Sequence, residues 1–225
     1  MKSASDNEWP KLLAACRELA ELFPEGLVFI GGIAVYFHSG KTPDNFGEFS
    51  HDGDFLMSLA DFADLRDLYE VTRNRRLTKH QLIKNGIEFD VYVEHQNNLA
   101  VPFDEALCYS EIIDGVRVAS LEHLLVLKID AANARAGTGK GDKDDRDVAR
   151  IVLLMGEPRM EILDKYLDQN RLHCIKRLIP RPEPFVAIAH GDTKLARDYR
   201  DRYRRAAARI VAAIGREGVP DPSDS

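Results

Sequence analysis

Two aspartates separated by a single glycine, Asp52 and Asp54, lie in the stretch Ser50-His51-Asp52-Gly53-Asp54-Phe55-Leu56-Met57. In an extended segment, side chains two apart point to the same side, so both carboxylates project together where a buried strand is expected to start. Two like charges held that close need a cation. Oxygen-only ligation suits Mg²⁺, or Mn²⁺, bridging to phosphate oxygens, which raises phosphoryl or nucleotidyl transfer above other chemistries. Asp90, in Phe89-Asp90-Val91, is a third carboxylate on a later strand, placed to complete a cation site or to act as general base on an attacking hydroxyl. The diglycine Gly31-Gly32 follows an apolar run, Leu27–Ile30, and lets the backbone approach a ligand with free amides aimed at it. Each feature has a plainer reading as well: Asp-Gly-Asp as a turn, Asp90 as a solvent-facing strand residue, the diglycine as a simple bend.

Other chemistries find no footing. A phosphate-binding loop needs a Gly five residues before Gly-Lys-Ser/Thr, but Val35 stands there for Gly40-Lys41-Thr42. At Gly139-Lys140 the hydroxyl residue is replaced by Gly141 and the first Gly by Ala134. The seven histidines show no zinc spacing, and Cys16, Cys108 and Cys174 are odd in number and far apart, which fits a reducing compartment better than a disulfide framework.

The elements that must position these residues follow from periodicity. Residues 10–23 predict an amphipathic helix through Leu12, Cys16, Leu19 and Phe23, closed by Pro24. Leu27–Ile30 predicts an inner strand, and a new segment starts at residues 33–37. The stretch 39–50, with Gly40, Pro43, Asn45 and Gly47, predicts an exposed loop. Residues 54–58 read as a strand and 60–72 as a helix. Residues 81–83 and 87–93 read as strands joined by an Asn85-Gly86 hairpin turn. In the second, Ile87, Phe89, Val91 and Val93 alternate with Glu88, Asp90, Tyr92 and Glu94, so Asp90 sits on the face opposite the aliphatic residues. A short hairpin is expected over 111–118, turning at Asp114-Gly115.

From Ser120 the pattern is helical: to about residue 135, then after a loop at 137–141 from Asp144 or Asp145 to Met155, then 161–178. Residues 180–184 predict a rigid connector, 194–214 a long basic helix with an inner stripe of Leu195, Tyr199, Ala206, Ile210 and Ile214, and 218–225 a loose tail. Lys128 falls on an apolar helix stripe with Leu121, Leu124, Leu125 and Ala132. An ammonium there needs a carboxylate from the next helix or a bound phosphate, unless it snorkels to the surface.

The net charge of −6 is unevenly spread: from 171 to 209, eleven Lys and Arg stand against four acids, a net +7 that leaves −13 elsewhere. Such asymmetry steers a polyanion toward one face, or it marks a solvated helix surface. The N-terminus has no apolar core for a secretory signal and no run reaches bilayer length, so a cytoplasmic protein with no membrane partner is expected.

The diglycine after a strand, the Asp-x-Asp and Phe89-Asp90-Val91, in this order, resemble the nucleotidyltransferase superfamily with its polymerase-beta-like fold. Leu124-Leu125-Val126-Leu127-Lys128, Arg135 and Lys143-Asp144-Asp145-Arg146-Asp147 are similar to the helical part of bacterial nucleotidyltransferase-like proteins of the AbiEii and MenT toxin kind. The resemblance covers about residues 31–155. It implies an α/β nucleotidyltransferase fold, a mixed β-sheet flanked by helices with a C-terminal helical bundle, divided as a core over 1–119 and a helical region over 120–225. It further implies that Asp52, Asp54 and Asp90 hold Mg²⁺, that Gly31, Gly32 and Ser50 bind the triphosphate, and that Lys128 contacts phosphate with Asp144 or Asp147 in support. The implied reaction moves an NMP group from an NTP to a hydroxyl on RNA or tRNA, a protein or a small molecule, with the basic 171–209 region guiding an RNA acceptor. A toxin–antitoxin or defence role would add an antitoxin, or a second copy of the chain, as partner. Where the family usually has an Arg and a Thr before the Asp-x-Asp, this sequence has Glu48 and Ser50. The alternative is a non-catalytic binding protein of the same fold.

Overall fold

The computed structural model describes residues 5–42, 46, 48 and 50–214, with side chains from residue 8 onward. The chain divides into two compact units, residues 1–124 and 125–225.

In the first unit the elements run α1 (Ser5–Leu22), β1 (Leu27–Ile30), α2 (Gly31–Ser39), β2 (Asp52–Met57), α3 (Leu59–Leu68), β3 (Val71–Asn74), β4 (Lys79–Lys84), β5 (Ile87–Val93), α4 (Phe103–Cys108), β6 (Glu111–Ile113) and β7 (Val116–Val118). The strands form one seven-stranded sheet in the order β3-β4-β5-β2-β1-β7-β6. It is mixed: β2 runs parallel to β5 and β1 to β7, and the remaining neighbours are antiparallel. One face is apolar. Phe29 and Phe55 are register partners with rings 5.7 Å apart, and Phe89 lies 6.1 Å from Phe55, all three fully buried. Leu12, Cys16 and Leu19 of α1, and Phe23 just after its end, are buried with them, as the helical spacing predicts. The β4–β5 turn places Asn85 and Gly86 at φ +54° and +79°, the left-handed pair that a two-residue hairpin needs.

The second unit is helical. It begins within α5 (Leu121–Ala134) and continues as α6 (Gly139–Leu154), α7 (Met160–Tyr166), α8 (Gln169–Leu178), α9 (Glu183–Ile188) and α10 (Thr193–Ile214). Its core gathers Val148, Ile151 and Val152 of α6, Leu172, Ile175 and Leu178 of α8, and Phe185 of α9 against Tyr203 of α10. The Tyr203 hydroxyl donates to the Ile175 carbonyl at 2.9 Å, so the buried ring leaves no polar atom stranded.

Several boundaries differ from expectation for identifiable reasons. The predicted helix over 60–72 ends at Leu68, and Val71–Asn74 is an edge strand. The helix expected over 161–178 is broken at 167–168, where the Asp168 carboxylate accepts from the Arg171 amide and starts a new helix. Helix α6 starts at Gly139 because Thr138 caps it by accepting from the Gly141 amide, so Asp144 is an interior residue and no cap. The connector expected over 180–184 is partly helix α9, and α4 has no counterpart in the sequence pattern. The buried stripe of α10 is Ala196, Tyr199, Tyr203, Ala207 and Ile210, while Leu195 is exposed. Within 39–50, Phe46 and Ser50 are buried, whereas residues 43–45, 47 and 49, like the expected tail at 218–225, lie outside the described residues.

Candidate active site

Strand β2 starts at Asp52, so Asp-Gly-Asp is strand and not turn. Its parallel register with β5 pairs Asp52 with Glu88, Gly53 with Phe89 and Asp54 with Asp90. In-register partners on neighbouring strands share a face, so Asp52, Asp54, Glu88 and Asp90 stand together on the side opposite the phenylalanine core. Gly53 has a packing reason: a Cβ there would run into the Phe89 ring. The residue that reads as turn chemistry is the gap that lets β2 lie against β5.

Gly31 stands at φ +68°, and a Cβ on it would overlap the Asp54 carboxylate. Ile30, one residue earlier, is the register partner of Asp54, so the diglycine leaves β1 beside that carboxylate and opens α2 there. A Cβ on Gly32 would meet Ser50 Oγ at 3.4 Å, and Ser50 Oγ donates to Asp52 Oδ1 at 2.9 Å. Gly31, Gly32, Ser50, Asp52 and Asp54 thus form one local cluster. Asp52 is exposed, Asp54 half-buried and Ser50 buried.

Asp90 differs from the other two. Its Oδ2 forms an ion pair with Lys79 on β4, both side chains nearly buried, while its Oδ1 is buried with no hydrogen-bond partner. The sequence pattern gives no sign of Lys79: it precedes the pairing of Gln81 with Asp90 by two residues on the same face, and only the strand register reveals that. Gln81 likewise donates to Glu88 at 2.5 Å. Strand β4 therefore answers part of the negative charge on this face. Among the described residues, no three His, Cys, Asp or Glu side chains converge into a metal cage. Mg²⁺ does not require one, since one or two carboxylates with phosphate oxygens and water complete its shell. Asp52 and Asp54 fit that role as an all-oxygen pair, with Asp90 beside them carrying an unsatisfied oxygen.

Lys128, Asp144 and Asp147 belong to the helical unit and are drawn together. Lys128 Nζ lies 2.6 Å from Asp147 Oδ2 and 3.5 Å from Asp144 Oδ1, and Arg135 reaches Asp144 at 3.0 Å and Arg150 reaches Asp147 at 3.0 Å. The carboxylate partner that the apolar stripe demands is therefore present, and Lys128 does not snorkel. Burial pushes the Asp144 carboxyl above its ordinary value despite Lys128 and Arg135. For Asp147 burial acts in the same sense, but Lys128, Arg150 and Lys143 outweigh it and hold the group below the usual carboxylate range.

The basic stretch 171–209 is partly neutralised within its own unit. Arg171 grips Asp130 with two bonds of 2.8 Å, and Arg181 meets Asp145, which Arg177 also holds. Arg202 and Arg204 pair with Asp198 and Asp201. Among the described residues, no helix is long and apolar enough to cross a membrane.

No protein-family model and no curated protein sequence matches the chain. Solved structures do. The JHP933 protein of Helicobacter pylori superposes with a TM-score of 0.51 at 13% identity, covering 96% of each chain. An antigenic nucleotidyltransferase-like protein from Paracoccidioides brasiliensis superposes with a TM-score of 0.51 at 18% identity, over 81% of this chain and 93% of the other. The chain has a nucleotidyltransferase fold. Within the nucleotidyltransferase fold of this chain, the paired aspartates lie on an inner strand between the diglycine strand and the strand of Asp90.

Proposed function

We propose that the chain transfers a nucleoside monophosphate from an NTP to a hydroxyl acceptor. The observation that carries this reading is the register that sets Asp54 beside Asp90 on one sheet face, with the bare Gly31 backbone against the Asp54 carboxylate. Asp52 and Asp54 are the residues to hold Mg²⁺ or Mn²⁺, which when bound would offset the charge of the triphosphate and of the reacting phosphoryl group. Ser50 orients Asp52 by donating to it, and the amides at the start of α2 face the phosphates. Asp90 is the candidate base for the acceptor hydroxyl, with Lys79 fixing Oδ2 and substrate binding required to uncover the buried Oδ1. The acceptor oxygen bonds to the α-phosphorus, the bond to the β-phosphate oxygen breaks, and pyrophosphate leaves. Lys128 serves as a phosphate contact only by exchanging Asp147 or Asp144 for the ligand.

Labelled NTP with Mg²⁺ and a mixture of RNA and protein acceptors tests this reading. The unmodified chain is expected to release pyrophosphate and label one acceptor class, and the Asp52→Asn, Asp54→Asn double variant to do neither. Equal behaviour of the two would discard catalysis in favour of a non-catalytic binding protein of the same fold. Lys79 already compensating Asp90, with Glu48 and Ser50 at positions where the family usually has Arg and Thr, favours that second reading. A toxin role predicts growth arrest on expression that the same double variant relieves.

A further inference from the structure

Between α3 and the β3–β4 edge of the sheet lies a cavity of about 360 Å³, lined in part by Phe62, Arg66, Arg73, His80 and Gln96. It is on the reverse of the carboxylate face. His80 is the register partner of Val91, and Val91 of Phe55, whereas Asp90 and Asp54 are the residues next to these and point the other way. The cavity therefore shares no side chain with the candidate transfer site, and a ligand bound in it is independent of nucleotidyl transfer.

The groove is open to solvent: Leu59, Ala63, Arg66, Arg73 and Gln96 are exposed, Val71 and His80 half-buried and Phe62 buried. Leu59, Phe62, Ala63 and Arg66 follow one another at helical spacing along the groove side of α3, where Phe62 is buried and Arg66 is exposed at the rim. Across from it, Arg73 is the register partner of His80 on the neighbouring strand, so guanidinium and imidazole share one face. Three basic side chains thus converge on one volume. Some arginines of this molecule are answered by carboxylates, as at Arg171, Arg177 and Arg181. Arg66 and Arg73 have no ion-pair partner among the described residues. Burial lowers the His80 imidazole below its ordinary value, and Arg73 and Arg66 push in the same direction against a hydrogen bond from Gln96. The two guanidiniums, with His80 favoured in its neutral form, are the cationic groups that line the cavity. Its floor is aromatic, with the Phe62 ring 4.6 Å from that of His80.

We infer that this cavity is a binding site for a small phosphate-bearing molecule whose apolar or aromatic part rests on Phe62. The volume lies within the range of ligand pockets of small molecules. Two guanidiniums suit a phosphate dianion, since each presents a planar fork of donors to its oxygens. Phe62 and Val71 supply the apolar wall that distinguishes an organic phosphate from the inorganic ion.

Phenyl phosphate, inorganic phosphate and benzoate serve as probes, titrated calorimetrically into the full chain at low ionic strength. Phenyl phosphate is expected to bind saturably and more tightly than inorganic phosphate, and Arg66→Gln and Arg73→Gln each to weaken it about ten-fold. The Asp52→Asn, Asp54→Asn double variant is expected to bind it as the unmodified chain does. In the unmodified chain, the His80 ring resonances in NMR are expected to move with phenyl phosphate occupancy, a readout that does not depend on any variant folding. Unmoved His80 resonances, unchanged affinity in both arginine variants, or loss of binding in the aspartate double variant would each overturn the site. Benzoate binding as tightly as phenyl phosphate would overturn the phosphate assignment.

Discussion

Gly31 brings two separate demands to one Cα: a left-handed backbone at φ +68° and room for the Asp54 carboxylate. Gly86 makes only the first, at φ +79° with nothing within 4 Å of an added Cβ. The pair therefore separates backbone strain from steric fit. Gly86→Ala is expected to cost about 1–2 kcal/mol in urea unfolding, the left-handed penalty of an L-residue. Gly31→Ala is expected to cost clearly more, and to abolish NTP turnover where Gly86→Ala retains it. Equal losses would mean that Asp54 swings away freely and that the close approach of backbone to carboxylate has no consequence. Lys79 illustrates the opposite situation at this scale: nothing in its own sequence context marks it, and only the register of β4 on β5 brings it to Asp90.

At the scale of elements, legibility in the sequence follows the regularity of the pattern. The period-two alternation of 87–93 and the Asn85-Gly86 turn predict β5 with Asp90 on the correct face, because a strand buried on one side advertises its register. Strand β3 is invisible: Val71-Thr72-Arg73-Asn74 is an edge strand with Thr72 and Arg73 exposed, and no alternation betrays it. The 161–178 stretch keeps a helical period across Leu167-Asp168, so only the cap geometry shows the break. The same contrast holds for the site, where the acidic pair and diglycine are readable as local motifs and their cross-strand partners are not. Between α5 and α6, the Lys128 partners differ in a way that titration can read. Asp147 is held below the usual carboxylate value, so its ionised form stabilises the fold above the unfolded value of about 4, and that stability is lost as pH falls through the folded value. Asp144, raised by burial, has the reverse sign: between its unfolded and folded values the native state binds the extra proton, and stability declines as pH rises. Asp147→Asn is thus expected to cost about 3 kcal/mol at pH 7, as for one partner removed from a buried pair. Its cost should shrink toward pH 3, while Asp144→Asn costs less at pH 7. Denaturant unfolding at both pH values checks the order, and a costlier Asp144→Asn would reverse the assignment of which carboxylate anchors Lys128.

For the whole molecule, the charge asymmetry that suggests an RNA acceptor has to be discounted by the pairing within the helical unit. Of the eleven basic residues over 171–209, Arg171, Arg177, Arg181, Arg202 and Arg204 already face carboxylates. Lys176, Lys194, Arg197, Arg200, Arg205 and Arg209 are without an ion pair among the described residues, and Arg197, Arg205 and Arg209 are exposed on α10. Each phosphate neutralised contributes about 0.7 on a single strand and about 0.9 on a duplex to the salt slope, so these six residues support a slope between about −4 and about −5 at most in log K against log salt. A tRNA titration between low and physiological salt is expected to give a slope within that bound, and Arg197→Gln, Arg205→Gln and Arg209→Gln together to reduce its magnitude by about 2. A steeper slope would mean that RNA displaces the internal carboxylates from their arginines, and the Asp130 and Asp145 pairs would then be part of the binding equilibrium. A flat titration would remove nucleic acid from the acceptor classes and leave a protein or small-molecule hydroxyl.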